Sequence, residues 1–207
     1  MPRVKVARKS TSIDMTAMCD VAFLLLTFFI LTAKPRTEDP VPVDIPASSV
    51  EQPIPDDNTL LLTVGQNKVF FGVDGNDIRK QTLIQMGEKY KINFTPEEQT
   101  KFAALPTFGV PINQLKGFLA LEPTQRKEFK QPGIPRDTTN NNELSDWIRE
   151  ARKVDVALHN KALRIAIKGD SKEEYPVIGQ LITLLQKQKI NKFNFITSLR
   201  AAPKTNK

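Results

Sequence analysis

One stretch of the chain decides its fold, DMTAMCDVAFLLLTFFILTAKPR at residues 14–36. Between residues 15 and 33 the only charged residue is Asp20, and the others are apolar, small or hydroxylated. A helix that crosses a bilayer needs about 20 mostly apolar residues. The stretch therefore predicts a single transmembrane helix over residues 13–33 that contains an ionisable acid.

Two other interpretations of this stretch fit its composition less well. A cleaved signal peptide has an apolar part of about 7–15 residues that ends in small residues. Here the run is longer, contains Asp20, and has the bulky Leu31 two residues before the candidate cleavage point at Ala33. A buried core helix of a soluble protein agrees poorly with the length of the run and with the basic residues before it.

Charge on either side of the span predicts its orientation. Four basic residues precede the span, and positive charge marks the cytoplasmic side. They are Arg3, Lys5, Arg8 and Lys9. Lys34 and Arg36 follow it, but long domains are translocated largely regardless of charge. We expect residues 1–12 to form a cytoplasmic tail that also contacts anionic lipids, and the residues from about Lys34 onward to lie on the outer side of the membrane.

Composition excludes several classes of function. The net charge is +7, but basic and acidic residues are interspersed, whereas nucleic-acid binding requires a clustered basic face. The only cysteine, Cys19, lies in the span, so no disulfide forms within the chain. No phosphate loop, metal-spaced His/Cys set or nucleophile–base pair occurs, which predicts a protein that is not an enzyme and has no cofactor. We expect the exported carboxylates to be solvated and the lone His159 to lie in an exposed turn.

Asp20 is the candidate functional residue. Thr16, Asp20 and Thr27 fall within about 40° of one another on a helix and form a polar stripe. Asp20 lies roughly 10 Å inside the span at 1.5 Å per residue. An acid at the centre of a membrane helix costs about 2.5–3.5 kcal/mol and typically marks a proton or ion path. The alternative is a polar residue that hydrogen-bonds a neighbouring helix.

A single helix cannot enclose a proton path, because Asp20 would then face lipid. The sequence therefore predicts a polytopic partner and, because sharing a polar interior reduces the cost of the acid, a dimer of this chain inside that partner. Asp14 is predicted to lie near the cytoplasmic interface, where it caps the helix.

The exported part predicts a mixed α+β domain over residues 58–200 with the order β-β-α-β-α-β. The segments TLLLTV and KVFFGV form a hairpin, and ALRIAIKG and KFNFIT are strands. The two helices are amphipathic. Their apolar faces comprise Leu144, Trp147, Ile148 and Ala151 in the first, and Val177, Ile178, Leu181, Ile182 and Leu185 in the second.

Other segments flank or interrupt this domain. Residues 34–57 are rich in proline and acids and predict an extended linker, in which VPVDIPAS is either a short edge strand or plain linker. Residues 78–142 predict a helical insertion in which TPEE, at residues 95–98, forms a capping box. Its apolar residues for packing are Leu83, Ile84, Met86, Phe102, Leu105, Phe108, Leu115, Phe118 and Leu119. Residues 201–207 form a C-terminal tail.

Two segments resemble the ExbD/TolR family. In SIDMTAMCDVAFLLLTFFILTA, Ile13, Asp14, Thr16 and Asp20 match its signature. Asp14 stands where Asn is usual and Ala17 where Pro is usual, so the resemblance does not extend to a helix break at that point. IKGDSKEEYPVIGQLITLLQKQKINKFNFIT is similar to the strand, helix and strand of the periplasmic domain of ExbD.

The resemblance implies an ExbD-like subunit of an inner-membrane motor driven by the proton motive force, with Asp20 carrying the proton. It also implies an ExbB/TolQ-like polytopic partner and a TonB-like or TolA-like protein that transmits work to the outer membrane. A TolR-like role in envelope maintenance and a passive membrane-anchored binding module are the alternatives. A flagellar-stator-like subunit would need a larger wall-binding domain than this sequence offers.

Overall fold

A computed structural model describes residues 15–33, 40, 43–48, 58–136, 142–170 and 175–199 of the chain. The chain divides into two units, Met1–Thr37 and Glu38–Lys207. The first contains helix α1 (Met15–Thr32), 18 residues long. At 1.5 Å per residue this helix is about 27 Å long, close to the hydrocarbon thickness of about 30 Å. Among the described residues it is the only helix long and apolar enough to cross a membrane.

Apolar side chains project from all sides of helix α1, including the side that carries Asp20, and the helix buries no residue within its own unit. Leu24, Phe29 and Ile30 lie in different directions around the helix, and each is more than half exposed. A helix that is hydrophobic all round is typical of a membrane span or of the core of a large protein.

The second unit contains a mixed set of strands and helices. Its strands are β1 (Ala47–Ser48), β2 (Thr59–Gly65), β3 (Lys68–Val73), β4 (Thr107–Phe108), β5 (Arg164–Gly169), β6 (Asn194–Ile196) and β7 (Ser198–Leu199). Its helices are α2 (Asn76–Tyr90), α3 (Pro96–Ala103), α4 (Ile112–Ala120), α5 (Pro123–Glu128), α6 (Glu143–His159) and α7 (Tyr175–Lys187). The predicted fold class, one apolar helix followed by an α+β domain, is confirmed.

Five of these strands form one sheet in the order β4-β3-β2-β5-β6. Strands β2 and β3 are an antiparallel hairpin whose turn residues Gln66 and Asn67 both have positive φ, 54° and 59°. That geometry is a two-residue type I′ turn, which matches the twist of a hairpin. Strand β5 is parallel to both β2 and β6, and helices α6 and α7 supply the crossovers that parallel pairing requires.

The core lies between the sheet and its helices. Leu60, Leu62 and Val64 alternate along β2 and are fully buried, as period-2 patterning requires. The face predicted for the first amphipathic helix is buried along its whole length, and Trp147 is its largest member. In the second helix Val177, Leu181 and Leu185 are buried, while Ile178 and Ile182 are half-buried.

The segment between β3 and α6 contributes to this core and is more than a surface elaboration. Seven of its predicted packing residues are buried, and Ile84 and Leu105 are half-buried. The seven are Leu83, Met86, Phe102, Phe108, Leu115, Phe118 and Leu119. The rings of Phe102 and Phe108 lie 5.8 and 5.0 Å from that of Trp147. Strand β4, which the sequence did not predict, extends the sheet beyond β3.

The capping box is confirmed. The Thr95 hydroxyl accepts the Glu98 backbone N–H, and the Glu98 carboxylate accepts the Thr95 N–H at 2.8 Å. Of the stretch VPVDIPAS, only Ala47–Ser48 is strand among the described residues, and it pairs in parallel with Ser198–Leu199 of the same chain. The other residues of the predicted linker lie mainly outside the described part of the structure.

Candidate functional site

Asp20 lies on α1 five residues after Met15, about 7.5 Å along the helix axis. Its carboxylate is exposed. Nothing among the described residues hydrogen-bonds or ion-pairs with it, and its helical neighbours in sequence are Cys19 and Val21. The acid therefore lies on an apolar helix, and no base or donor among the described residues compensates it.

Thr16 and Thr27 share the Asp20 side of α1 by helical periodicity, at four residues before it and seven after it. The Thr27 hydroxyl donates to the carbonyl of Leu24 at 2.9 Å, a bond within the helix. Thr32, further around the helix, bonds the Phe28 carbonyl at 2.8 Å in the same way. The stripe therefore contains one ionisable group, Asp20, and the Thr27 hydroxyl, whose hydrogen bond lies within the helix.

Other predicted features of the span fall outside the described residues. These are Asp14, the basic residues that precede the span, and Lys34 and Arg36 after it. Their placement near the two membrane interfaces stays a prediction.

The acids of α6 contrast with Asp20, and the expectation that exported carboxylates are solvated is wrong for them. Asp146 is 2% exposed and accepts a hydrogen bond from the Tyr90 hydroxyl at 3.0 Å. Lys89 and Arg149 also pair with it. Asp155 is fully buried. The apolar periodicity of α6 revealed the face that packs on the sheet, but not its second, polar face, which packs on α2.

Glu143, in the first turn of α6, is another buried acid. One of its oxygens accepts the Ile112 backbone N–H at 2.8 Å and the Trp147 indole N–H at 3.2 Å. Burial raises the pKa of Glu143 above its ordinary value, and the nearby Asp146 adds to the increase, while these two hydrogen bonds oppose it. Glu143 therefore joins the start of α4 to α6 as a structural acid.

His159 also differs from expectation, because it is the last residue of α6 and does not lie in a turn. Its side chain is 41% exposed and contacts two carboxylates, Asp155 and Asp77. No sequence signal identified this cluster, since Asp77 and His159 are 82 residues apart.

An apolar helix long enough to cross a membrane, which bears one acid and is followed by an α+β domain, is typical of proteins anchored by one helix. Comparison with protein families matches residues 7–200 to the family Biopolymer transport protein ExbD/TolR. The chain belongs to the ExbD/TolR family, and the resemblance noted in its sequence is confirmed. No curated protein matches the chain, and no solved structure matches it.

The family to which the chain belongs indicates its general role. The family consists of biopolymer transport proteins and not of enzymes. Its members are membrane-anchored, in agreement with α1 as a helix long and apolar enough to span a bilayer.

Proposed function

We propose that this chain is the single-span subunit of an inner-membrane motor driven by the proton motive force, with Asp20 as its proton carrier. The motor would energise outer-membrane transport through a TonB-like protein. The observation that carries the proposal is the exposed Asp20 on an otherwise apolar helix, without a partner among the described residues. Acids in such positions are costly and typically mark proton pathways.

The cost of a charged acid in the span and the energy available from the membrane potential are similar in size. A charged acid at the centre of a span costs about 2.5–3.5 kcal/mol, and a membrane potential supplies about 2.3 kcal/mol per charge per 100 mV. Protonation removes the charge, so proton binding and release would change which partner surface the Asp20 side of α1 prefers. Proton flow across the membrane then drives a movement of the helix.

The proposal requires a partner, because α1 alone leaves Asp20 facing lipid. An ExbB/TolQ-like polytopic protein would surround α1 and complete the proton path. Families of this description work with such partners and with TonB-like or TolA-like proteins. The work would reach the outer membrane through the exported domain.

Asp20→Asn tests the proton role. Asparagine keeps the shape and much of the hydrogen bonding of aspartate, but it cannot ionise. We expect the variant to co-purify with the polytopic partner in wild-type amounts while uptake that depends on the proton motive force stops. Asp20→Glu, which remains ionisable, is the matched control and should retain part of the activity. Wild-type uptake in Asp20→Asn would favour a helix-packing role.

Two alternatives predict different outcomes. The family description names TolR together with ExbD, and a TolR-like subunit would protect the envelope, so its loss would sensitise cells to detergent without stopping nutrient uptake. A passive anchor would tolerate replacement of α1 by an unrelated apolar span. The motor would not tolerate that replacement, even if the exported domain remained folded.

The proposed orientation places residues 1–12 in the cytoplasm and the domain in the periplasm. In a Cys19→Ser background, a cysteine at Ser48 should react with an impermeant thiol reagent in spheroplasts, and a cysteine at Ser10 should not. The opposite labelling pattern would overturn this orientation.

The proposed motor contains two copies of this chain. Ala47–Ser48 pairs with Ser198–Leu199 of its own chain, and the same edge could accept this segment from a second copy by strand addition. A cysteine at Val43, in the Cys19→Ser background, should cross-link two copies when the polytopic partner is present. A strictly monomeric chain in the purified complex would refute the dimer.

A further inference from the structure

Helices α2 and α6 pack against each other in antiparallel directions and are joined by a polar cluster at each end. At one end the C-terminal Lys89 and Tyr90 of α2 contact Asp146 in the first turn of α6. At the other end the C-terminal His159 of α6 contacts Asp77 in the first turn of α2. The two clusters differ in how they respond to protons.

Both ring nitrogens of His159 face carboxylates. Nδ1 lies 3.0 Å from Oδ1 of Asp155, and Nε2 lies 3.1 Å from Oδ2 of Asp77. A neutral imidazole has one N–H and one acceptor nitrogen. With both acids ionised, a neutral ring could donate to only one of them, and its other nitrogen would direct a lone pair at a carboxylate oxygen.

Asp155 makes this cluster sensitive to the loss of a proton. It is fully buried, and its Oδ2 has no hydrogen-bond partner. A buried charge is strongly unfavourable unless it is paired. Two arrangements satisfy both contacts: an imidazolium between two carboxylates, or a protonated Asp155 that donates to Nδ1 while Nε2–H donates to Asp77. Both hold the same number of protons, so the loss of one proton breaks a contact in either arrangement.

We propose that Asp77, Asp155 and His159 form a proton-sensitive latch that fastens the start of α2 to the end of α6 and loosens as the pH rises. Histidine is the side chain that ordinarily changes charge between about pH 5 and 8. Both contacts of His159 exist only while the cluster holds that proton, so its contribution to the α2–α6 contact is present at low pH and is lost as the pH increases. This proposal does not depend on the role of Asp20.

Other charged groups around the latch limit its effect. Arg79 attracts Asp77 and Asp74, and an arginine keeps its charge at every relevant pH. Asp77 is also 55% exposed, so solvent screens its contact with His159. The cluster at the opposite end is an internal reference. Burial, and then the hydrogen bond to Asp146, raise the pKa of Tyr90 further above neutrality.

The test uses the full chain in detergent, purified through a tag that contains no histidine. His159 is the only histidine, so ¹⁵N-histidine labelling gives the signals of one imidazole ring. These signals report the tautomer and the charge of the ring at each pH between about 5.5 and 8. Over the same range, hydrogen-exchange protection of the amides at residues 79–82, of which Arg79 makes the first hydrogen bond of α2, should fall about two- to fivefold after correction for intrinsic rates, as expected for a partly exposed ion pair.

Variants separate the latch from general effects of pH. His159→Gln and Asp77→Asn should each abolish the change in protection, while amides near Lys89 remain unaffected in all proteins. Glu97→Gln removes an exposed acid from the first turn of another helix, α3, and should keep the wild-type response. A response that persists in His159→Gln, or wild-type protection that is constant across the range, would overturn the proposal. Asp77→Asn alters an exposed side chain and decides the question if His159→Gln does not fold.

Discussion

Helices α1 and α6 both carry acidic residues, but the surroundings of these residues differ. On α6, Asp146 and Asp155 are almost completely buried, and each contacts bases or donors from its own chain. On α1, Asp20 is exposed, and none of the residues that the structure describes compensates its charge. The acids of α6 thus have partners within the domain, whereas the described part of the chain provides none for Asp20.

The difference follows from what surrounds each helix. Helix α6 packs its apolar face on the sheet and its polar face on α2, so its acids meet Lys89, Tyr90 and His159 at defined positions. Helix α1 buries no residue. Acids of the first kind support the fold, and an acid of the second kind is available for function.

The largest effect on stability is expected from the core of α6. Trp147→Ala removes a ring that lies within 5.8 Å of the rings of Phe71, Phe102 and Phe108, so it should cost about 3–5 kcal/mol. Urea unfolding followed by circular dichroism should show earlier loss of the domain signal, with a helical remainder from α1. Leu158→Ala, on the exposed side of the same helix, is the control. A loss below about 1 kcal/mol would contradict the packing described.

Asp146→Ala should destabilise the domain by about 1–3 kcal/mol, because it leaves the partly buried Tyr90 hydroxyl without its acceptor. Fluorescence of Trp147, the only tryptophan, reports unfolding of the domain directly. Asp20→Ala is the matched substitution on α1 and should leave the unfolding midpoint unchanged. Equal shifts in the two variants would remove the distinction between structural and functional acids.

Because Glu143 is buried, we expect the stability of the domain to depend on pH, with a sign that follows from the direction of its pKa shift. Burial raises its pKa in the folded domain, while the unfolded chain keeps an ordinary value of about 4.3. The folded state therefore binds more protons between these two values, and its stability falls as the pH rises through that window. Relative to Glu143→Gln, the wild type should become more stable as the pH is lowered from 7 to about 5.

Unfolding midpoints of the two proteins, measured by Trp147 fluorescence at several pH values, test this prediction. Glu128→Gln, an exposed acid on α5, should show no such trend relative to the wild type. A wild-type advantage that shrinks toward low pH would mean that the two hydrogen bonds outweigh the burial of Glu143.

The sequence predicted the parts of the fold that depend on a single buried face. The hairpin, β5, and the apolar faces of α6 and α7 all follow from periods of 2 or 3.6 residues. It did not predict β4 or β7 and left β1 open between a short edge strand and plain linker, because two residues are too few to show a period. The polar contacts between α2 and α6 were also missed, since Asp146 and His159 meet partners on α2 that are distant in sequence.

The candidate site also has a part that could be predicted from the sequence and a part that could not. Asp20 could be identified from sequence because it breaks the composition of its own helix, without any knowledge of neighbours. What surrounds it could not be identified, because in the proposed motor that environment would belong to other chains.

The smallest expected effect is that of Thr27→Val. Valine has nearly the volume of threonine and removes only the hydroxyl, which already donates to the Leu24 carbonyl. Hydrogen bonds between helices in membranes average about 0.6 kcal/mol, so loss of a contact from Thr27 to the partner should slow proton-driven uptake no more than about threefold. Thr32→Val is the control, since Thr32 also bonds its own helix and points about 120° away from Asp20. A defect in Thr27→Val as severe as that of Asp20→Asn would show that the proton path needs the hydroxyl as well, and that the functional group of α1 is the stripe and not the acid alone.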